Sequence, residues 1–548
     1  MKKIKFKQNK KKLKMYLIIF FLFSLCSNSP IANYSIIPLP KEIIEIEGSP
    51  FLLSNLTQIT YSPSSSLQKN NSEYLSNCIF EKTKIKVKIN PNLSLDTPNI
   101  IYLQINETIN MSEQYIIIIN ENNITIQSKT SNGIFYGIQT IFKSLPITIK
   151  NPEIKEISFP QIYINDYPLF SYRGMMLDSS RHYYSIDFIK KFLNLLSLHN
   201  MNKFHWHLSD DQGWRIEIKK YPLLTKKSSF RSKTVINKNS GYYDDIPYGG
   251  FYTQDEAREV VEYARMLYID VIPEVDLPGH TLAALSAYPY LGCTGGPYEV
   301  QSTWGVFDDI MCAGKEETFE FIEDIYNELI NIFPSEFFHI GGDEAPKTRW
   351  KICDKCQERM KNENITSEEK LQGYFSRRVE KILNNKGKNV IGWDEILNGD
   401  VSLNTIIMNW RGVSEGQKAV KLGYKVIMSP VKYLYFDYSQ NNDFYFKEPF
   451  TIGGYVGMDV VYSFNPFDEL SESEQKQILG VQANLWSEYI FCDNMSFYQI
   501  LPRISALSEV QWRNFNDRNF SEFLGRIKGI ENIYDLYGFI YENNKFRE

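Results

Sequence analysis

Two hydrophobic patterns divide the chain near Asp166-Tyr167-Pro168. Before this point, β-rich runs such as Gln114 to Ile119 and Ile124 to Ile126 alternate with polar turns, and Gly133 to Ile141 has the spacing of an amphipathic helix. The pattern predicts a small α+β domain over residues 31–165. None of the six histidines of the chain lies in it, so we expect this domain to serve packing rather than chemistry.

Beyond the boundary, apolar runs of strand length alternate with helical patterns, which is typical of βα units on a parallel sheet. Ile186, Ile189 and Leu193 repeat at helical spacing, and Thr253 with Glu256 forms a capping box before another helix. Eight such units predict an α/β fold with a (β/α)8 barrel over residues 166–548. The eight predicted strands are Tyr172 to Asp178, Lys203 to Asp210, Asp270 to Asp276, Phe337 to Asp343, Asn389 to Glu395, Thr405 to Trp410, Lys425 to Pro430 and Leu479 to Trp486.

The first residues have the composition of a targeting segment. Eight lysines lie among the first fourteen residues, and an apolar run from Met15 to Cys26 follows. A membrane span needs about twenty apolar residues, so residues 1–26 indicate a cleaved secretory signal, with an uncleaved anchor as the alternative. Cleavage changes the formal net charge from −5 to −13. We therefore expect no nucleic-acid partner, and no membrane contact after cleavage.

Six cysteines follow the signal, and export permits disulfides. Cys293 and Cys312 flank a glycine-rich loop, and Cys353 and Cys356 form a Cys-x-x-Cys pair, so these four are expected to join loops through two disulfides in any of three connectivities. A zinc knuckle at the Cys-x-x-Cys pair would need two further ligands close by, and the sequence indicates none. Sequons such as Asn33-Tyr34-Ser35 suit an exported, glycosylated surface.

The richest chemical signal is His339-Ile340-Gly341-Gly342-Asp343-Glu344, an apolar strand that ends in two glycines and two carboxylates. Adjacent strand residues point to opposite faces, so both carboxylates can serve one pocket only where the backbone breaks, as the two glycines permit. Two crowded carboxyls resist double ionisation, so one is expected to keep its proton near neutral pH and donate it. An acid-rich helix N-terminus is the alternative interpretation.

The other predicted strand ends are also polar or aromatic, and the ends of barrel strands are where active sites lie. Arginine, histidine, carboxylates and tryptophans in one pocket suit a sugar, whose hydroxyls take polar partners and whose C–H faces take aromatic walls. For any single tryptophan, core packing is the alternative. The candidate residues are Asp178, Arg181, His207, Asp210, Glu274, Asp276, His280, Trp393, Asp394, Glu395, Trp410, Tyr435, Asp437, Trp486 and Glu488.

His205-Trp206-His207 has the His-x-His form of metal-dependent barrel hydrolases. Such sites also need ligands from later strands, and no histidine follows His339, so we expect no metal and no cofactor. The two rings are expected to be hydrogen-bonded beneath the pocket. His280, in a loop, is expected to contact an acid of the site.

These motifs resemble those of the β-N-acetylhexosaminidases of glycoside hydrolase family 20, over roughly residues 31 to 515 and in family order. The resemblance implies that Glu344 is the general acid and base and that Asp343 holds the acetamido N–H of the sugar, whose carbonyl oxygen is the nucleophile. It also implies retention of the anomeric configuration. The segments that carry it are Leu177-Asp178 with Arg181-His182, His205 to Arg215, Pro273 to His280, and His339 to Glu344.

By the same resemblance, Trp393, Trp410 and Trp486 wall the acetamido group and Tyr435 donates to its carbonyl oxygen. Arg181 binds the O3/O4 edge of the sugar, Asp437 and Glu488 bind the O4/O6 edge, and Asp210 and His280 support Glu344. The expected substrates are neutral glycans ending in N-acetylhexosamine, or chitooligosaccharides.

Several alternatives stay open. A lacto-N-biosidase-like glycosidase, a non-catalytic carbohydrate-binding barrel and a metal-dependent amidohydrolase or deacetylase are the competing functions. The sequence does not choose between GlcNAc and GalNAc, or between secretion and a lysosomal or vacuolar destination. Homodimers are frequent in the family, and monomer and homodimer both remain open here.

Overall fold

A computed structural model describes residues 29–62, 66–91, 93–94, 96–151, 153–441 and 448–543. The secretory signal predicted over residues 1–26 lies outside the described residues. The chain divides into two compact units, one ending at Tyr167 and the other running from Pro168, with Ile37–Leu39 grouped with the second. The sequence patterns placed the boundary at residues 165/166.

The first unit is α+β. Strands β1, β9, β6, β7, β5, β3 and β4 form one mixed sheet in that order, and β2 pairs with β8. Side chains alternate along β6, so Ile117 and Ile119 are buried while their neighbours are partly exposed. The strands are β1 Glu42–Glu45, β2 Phe51–Ser54, β3 Gln58–Tyr61, β4 Lys88–Ile89, β5 Ile100–Ile105, β6 Tyr115–Ile119, β7 Asn123–Ser128, β8 Glu156–Phe159 and β9 Ile162–Asp166, and the helices are α1 Ser66–Thr83 and α2 Ser131–Ser144.

The second unit is a closed barrel of eight parallel strands. β10 pairs in parallel with both β11 and β21, which closes the sheet. The barrel strands are β10 Tyr172–Asp178, β11 Lys203–His207, β16 Asp270–Glu274, β17 Phe337–His339, β18 Asn389–Trp393, β19 Ile406–Asn409, β20 Val426–Met428 and β21 Ile478–Leu485. Two small hairpins lie between β11 and β16, formed by β12 Ser209–Asp210 with β13 Gly213–Trp214, and by β14 Phe230–Arg231 with β15 Tyr248–Gly249.

Helices connect and surround the strands. Their bounds are α3 Ile186–Leu198, α4 Leu223–Lys226, α5 Gln254–Met266, α6 Leu282–Ala287, α7 Glu316–Leu329, α8 Thr348–Ile352, α9 Asp354–Asn362, α10 Glu368–Asn384, α11 Val413–Lys421, α12 Val431–Leu434, α13 Met458–Ser463, α14 Glu472–Gln475, α15 Asp493–Ile500, α16 Arg503–Trp512 and α17 Phe520–Tyr537. The capping box predicted at Thr253 and Glu256 is present at the start of α5.

The predicted (β/α)8 barrel is confirmed, and all eight predicted strands occur. Most predictions ran past the observed C-terminal ends, by four residues in the case of β17. Asp210, Asp276, Asp343 and Glu395 therefore lie beyond the barrel strands rather than in them. A residue just past a strand is free of the ladder geometry, so these carboxylates can turn toward one another at the barrel mouth.

Apolar side chains from alternating positions fill the barrel. Tyr172, Ile272, Ile391 and Met408 are among the buried residues of this core, and Trp393 caps it at the C-terminal end of β18. The core also contains a polar layer, because the Tyr172 hydroxyl donates to Gln482 Oε1 (2.7 Å). Among the described residues, no helix is long and apolar enough to cross a membrane.

The prediction of disulfides is wrong for this structure, because none of the six described cysteines is disulfide-bonded. The expectation that Cys293, Cys312, Cys353 and Cys356 lie together is met, since their Sγ atoms all lie within 4.8 Å of one another. The inference that the Cys-x-x-Cys pair lacks two further ligands is also corrected. The fold brings Cys293 and Cys312 to it from 63 and 44 residues before Cys356, a proximity that chain spacing does not reveal.

Candidate active site

The loop after β17 presents two neighbouring carboxyls to one space. Gly341 (φ +68°) and Gly342 (φ +104°) occupy left-handed backbone regions, and a Cβ at Gly341 would lie 1.6 Å from Asp276 Oδ1. Glu344 is itself at φ +44°, which is rare for a residue with a side chain. The strained backbone at this point turns Asp343 and Glu344 so that both side chains approach the same imidazole ring.

Neighbouring side chains hold this strained loop in place. The Gly342 N–H donates to Asp276 Oδ1 (3.0 Å), and the Gly342 carbonyl accepts from Gln372 Nε2 (2.7 Å). The Glu344 N–H donates to Glu395 Oε2 (3.1 Å). Burial and the charge of Asp343 raise the pKa of Asp276 well above its usual range.

His280 is the positive centre of the site. Its Nδ1 lies 3.2 Å from Asp210 Oδ1 and 3.1 Å from Asp211 Oδ2, while its Nε2 lies 3.5 Å from Glu344 Oε2 and 3.9 Å from Asp343 Oδ2. Burial works against the charge, but these carboxylates outweigh it and hold the pKa of His280 well above its usual range. His280 is therefore an imidazolium shared by four carboxyls.

Asp343 and Glu344 have opposite environments. Burial, together with the charge of Glu344, raises the pKa of Asp343 to about 7. The hydrogen bond from His280 lowers the pKa of Glu344, whose side chain is 40% exposed. The carboxyl with the raised pKa is thus Asp343, whereas the family resemblance implies Glu344 as the proton donor. Asp343 Oδ1 is buried and has no hydrogen-bond partner among the described residues, so it is available to a ligand.

A second ionic layer lies beneath the pair, centred on Glu274. This fully buried carboxylate contacts His205 Nε2 (3.0 Å), His339 Nδ1 (2.9 Å) and His207 Nδ1, and it accepts from Trp393 Nε1 (3.0 Å). Burial opposes ionisation of Glu274, but the histidines hold its pKa well below the usual range. His205 and His207 are both fully buried in this layer, as expected of rings beneath the pocket.

Arg181 joins the two layers on the β10 side of the mouth. Its guanidinium contacts Asp178 (3.2 Å) and Asp210 (2.9 Å), and it lies 5.0 Å from the centre of the Trp486 ring. The side chain is almost buried. Its planar donors are thus fixed in direction by two carboxylates and an aromatic face before any ligand contributes.

Four aromatic residues from strand ends form a continuous wall. Trp486 lies 5.9 Å from Trp393 and 6.4 Å from Tyr435, and Trp410 stacks on Tyr435 at 6.3 Å between ring centres. Trp393 is only 1% exposed, so it forms the floor of the wall, whereas Trp410 and Trp486 are partly exposed. Trp410 Nε1 has no partner within the described part of the chain.

Asp437 and Glu488 complete the predicted set, on the β20 and β21 side. Burial and the charge of Glu488 raise the pKa of Asp437 well above its usual range, and burial also raises the pKa of Glu488 against the opposing charge of Arg181. Asp437 Oδ1 lacks a partner among the residues that the structure describes. The two acids are thus poised to bind hydroxyl groups.

The structure adds Gln372, which sequence analysis did not assign to the site, and it gives a contact to Glu395, which was a candidate. Gln372, in α10, holds the Gly342 carbonyl, and Glu395 accepts from the Glu344 backbone across 51 residues of chain. Glu395 carried a signal as a strand-end acid, whereas Gln372 carried none. Three of the ionisable groups that meet here, His205, Glu274 and His339, also have the spacing of a metal site, and Glu274 contacts His205 Nε2 and His339 Nδ1 directly.

Comparison with known proteins places this geometry in one family. The model of glycosyl hydrolase family 20, catalytic domain, matches residues 170–515, and that of domain 2 of the same family matches residues 33–167. The chain is 37% identical to a beta-hexosaminidase of Porphyromonas gingivalis over 92% of its own length and 64% of that protein's length. It thus spans just under two thirds of this relative. A beta-hexosaminidase of Vibrio furnissii is 33% identical, with 87% and 76% covered.

Solved structures agree. The exo beta-N-acetylglucosaminidase of Vibrio harveyi, solved in complex with N-acetylglucosamine, superposes with a TM-score of 0.81 at 28% identity, covering 94% of this chain and 80% of that one. The beta-N-acetylhexosaminidase of Bacteroides fragilis gives 0.76 at 29% identity, with 92% and 96% covered.

The raised pKa of Asp343 predicts a pH-dependent stability cost. Its carboxyl binds a proton more tightly in the folded chain than in the unfolded chain, so folding stability is full below about pH 4 and falls as pH rises through about 7. Asp343→Asn cannot ionise, so near pH 8 it should exceed the wild type in free energy of unfolding by on the order of a few kcal/mol. Urea unfolding at several pH values measures this difference.

Asp245→Asn, at an exposed position, is the matched control and should follow the wild type throughout. A difference between Asp343→Asn and wild type that does not grow with pH would show that the Asp343 carboxyl is not held near neutrality.

Proposed function

The chain belongs to glycosyl hydrolase family 20, and from that membership we propose that it is a β-N-acetylhexosaminidase that removes terminal N-acetylhexosamine residues from glycans. The observation that carries the proposal is the convergence of Asp343 and Glu344 on the His280 imidazolium, at 3.9 and 3.5 Å, with pKa values shifted in opposite directions. Such a pair supplies one proton and one negative charge to a single sugar.

Sugar binding is proposed to move the proton from Asp343 to Glu344. An acetamido N–H that donates to the unpartnered Asp343 Oδ1 would stabilise the carboxylate and lower its pKa. The same sugar would cover Glu344, whose side chain is 40% exposed, and the loss of water would raise its pKa. Glu344 then carries the proton where the glycosidic oxygen needs it.

The first chemical step is an internal displacement. The acetamido carbonyl oxygen attacks the anomeric carbon, the bond from that carbon to the glycosidic oxygen breaks, and the Glu344 proton passes to the leaving oxygen. The positive charge that develops on the oxazolinium ring is stabilised by the Asp343 carboxylate. A nucleophile already tethered to the sugar has a high effective concentration, which lowers the entropic part of the barrier.

The second step restores the enzyme. Glu344, now a carboxylate, takes a proton from water as the water oxygen attacks the anomeric carbon from the face that the leaving group vacated. The bond from the anomeric carbon to the acetamido oxygen breaks and regenerates the N-acetyl group. Two inversions at one carbon give net retention.

The rest of the mouth is proposed to recognise the sugar. Trp393, Trp410 and Trp486 would enclose the acetamido methyl group, with Tyr435 donating to its carbonyl oxygen. Arg181 would bind the O3/O4 edge, and Asp437 with Glu488 the O4/O6 edge. Acids at that edge support a neutral sugar over a 6-sulfated one, because Asp437 and Glu488 offer a sulfate no cationic partner. These residues would give a polar partner to every free hydroxyl of a terminal sugar. That supports exo action, the removal of sugars from the chain end.

We also propose that the protein is exported, to the medium or to a lysosome or vacuole. The proposal is supported by the lysine-rich start of the chain and the apolar run from Met15 to Cys26.

Replacing the general acid tests the proposed role of Glu344. Glu344→Gln keeps the shape but cannot donate a proton, so kcat on disaccharides with poor leaving groups should fall by about 10²- to 10⁴-fold. The loss should be smaller for nitrophenyl glycosides, whose leaving groups need little protonation. Steady-state kinetics on both substrate types measures the split, with Glu472→Gln at an exposed position as the control. Full activity of Glu344→Gln on an aryl N-acetyl-β-glucosaminide would exclude the assignment.

The acetamido group is tested by changing the substrate. Successive fluorination of the N-acetyl methyl group makes the carbonyl oxygen a poorer nucleophile, so wild-type kcat should fall steadily along the series, and a plain β-glucoside should be turned over far more slowly. Proton NMR of the first product should show the β-anomer. Equal rates along the series, or turnover of the glucoside at a comparable rate, would rule out participation by the substrate.

A further inference from the structure

Four cysteines from three segments converge beside the barrel mouth. Cys293 follows a turn of 3-10 helix at Pro289–Leu291, and Cys312 lies in a later loop that is joined to it by a β-bridge between Gly292 and Met311. Cys353 lies between α8 and α9, and Cys356 lies in the first turn of α9. Cys312 and Cys356 are fully buried, and the other two are partly buried.

Three of the six sulfur–sulfur distances match the edges of a tetrahedron around one metal ion, and the other three are at most 4.8 Å. The Sγ atoms of Cys312 lie 3.5 Å from Cys356 and 3.8 Å from Cys353, and those of Cys293 and Cys356 lie 3.7 Å apart. A tetrahedron with metal–sulfur bonds of about 2.3 Å has edges of about 3.8 Å. A disulfide needs about 2.05 Å, and the three distances are too long and too similar to single out a bonded pair.

The surrounding backbone is built for close approach to these sulfurs. A Cβ at Gly314 would lie 2.2 Å from the Lys355 carbonyl carbon and 2.5 Å from the Cys356 nitrogen, so glycine alone lets the Cys312 loop pack against the start of α9. The loop that carries Cys293 is fixed by Lys315 Nζ, which donates to Gly292 O (2.7 Å).

We propose that Cys293, Cys312, Cys353 and Cys356 bind one structural Zn²⁺ ion as a closed four-thiolate site. Soft thiolate ligands select zinc over magnesium or calcium, and four protein ligands leave no open position for chemistry. The proposal is independent of the proposed hydrolase activity, because none of the four sulfurs belongs to the carboxylate cluster.

The zinc site would connect two segments of the barrel mouth, the one that leads to His280 and the one that follows Glu344. The Met311 N–H donates to Pro278 O (3.0 Å), two residues before His280, and Trp350 Nε1 donates to Met311 O (2.9 Å), six residues after Glu344. A metal that clamps the Cys312 loop to α9 therefore stabilises both sides of the His280–Glu344 contact. Its expected role is to raise the thermal stability of the barrel mouth.

Metal analysis of the full chain tests the site. Protein purified under reducing conditions should contain close to one zinc per chain, and Cys353→Ser should lower this to below about 0.1. Cys492→Ser, at an exposed cysteine outside the cluster, should keep the full zinc content. Titration of the wild type with a mercurial reagent should release one zinc to a chromogenic chelator as four thiols react, which needs no variant to fold. Chelation should lower Tm.

Cobalt gives a readout of the ligand set. Wild-type protein loaded with Co²⁺ should show the intense visible bands of a tetrahedral tetrathiolate, and Cys353→His, which keeps four ligands, should shift rather than abolish them. Three results would overturn the proposal: four free thiols without zinc, a mass lower by four hydrogens that marks two disulfides, or iron in place of zinc.

Discussion

The active site depends on the sharing of one buried imidazolium among more carboxyls than it can neutralise. His280 faces Asp210 and Asp211 through Nδ1, and Glu344 and Asp343 through Nε2. Because burying a carboxylate without a partner is costly, this arrangement decides which acids ionise and which keep a proton. Arg181 and His207 share the load by pairing with Asp210, so that His280 remains free to act on the pair after β17.

The same constraint explains the strained backbone. Gly341 has no room for a side chain beside Asp276, and Glu344 adopts a left-handed conformation that the loop alone would not favour. Gln372 and Glu395 hold the loop from outside the barrel strands. The folded chain therefore carries two unfavourable free-energy contributions, backbone strain and the burial of Asp343. Both lie at the position where a bound sugar would relieve them. That is the usual cost of a preorganised site.

Much of the fold could be predicted from the sequence because parallel barrel strands are buried on both faces and appear as apolar runs with polar ends. The glycine pair and the two carboxylates after it could be recognised for the same reason, because they follow such an apolar run. Contacts between segments that are far apart in the chain could not be predicted. The hydrogen bond from Glu344 to Glu395 spans 51 residues, and the approach of Cys293 to Cys356 spans 63. The sequence also did not predict which of Asp343 and Glu344 has the higher pKa, because that depends on how exposed each side chain is and on the position of His280.

Neutron diffraction of deuterated crystals tests the central claim, the transfer of a proton within the carboxyl pair, most directly. Near pH 6 the free protein should show a deuteron on the Asp343 carboxyl and none on Glu344. With a non-hydrolysable thioglycoside of N-acetylglucosamine bound, Glu344 should carry the deuteron and Asp343 should be a carboxylate that accepts from the acetamido N–D group. A deuteron that remains on Asp343 in the complex would contradict the account.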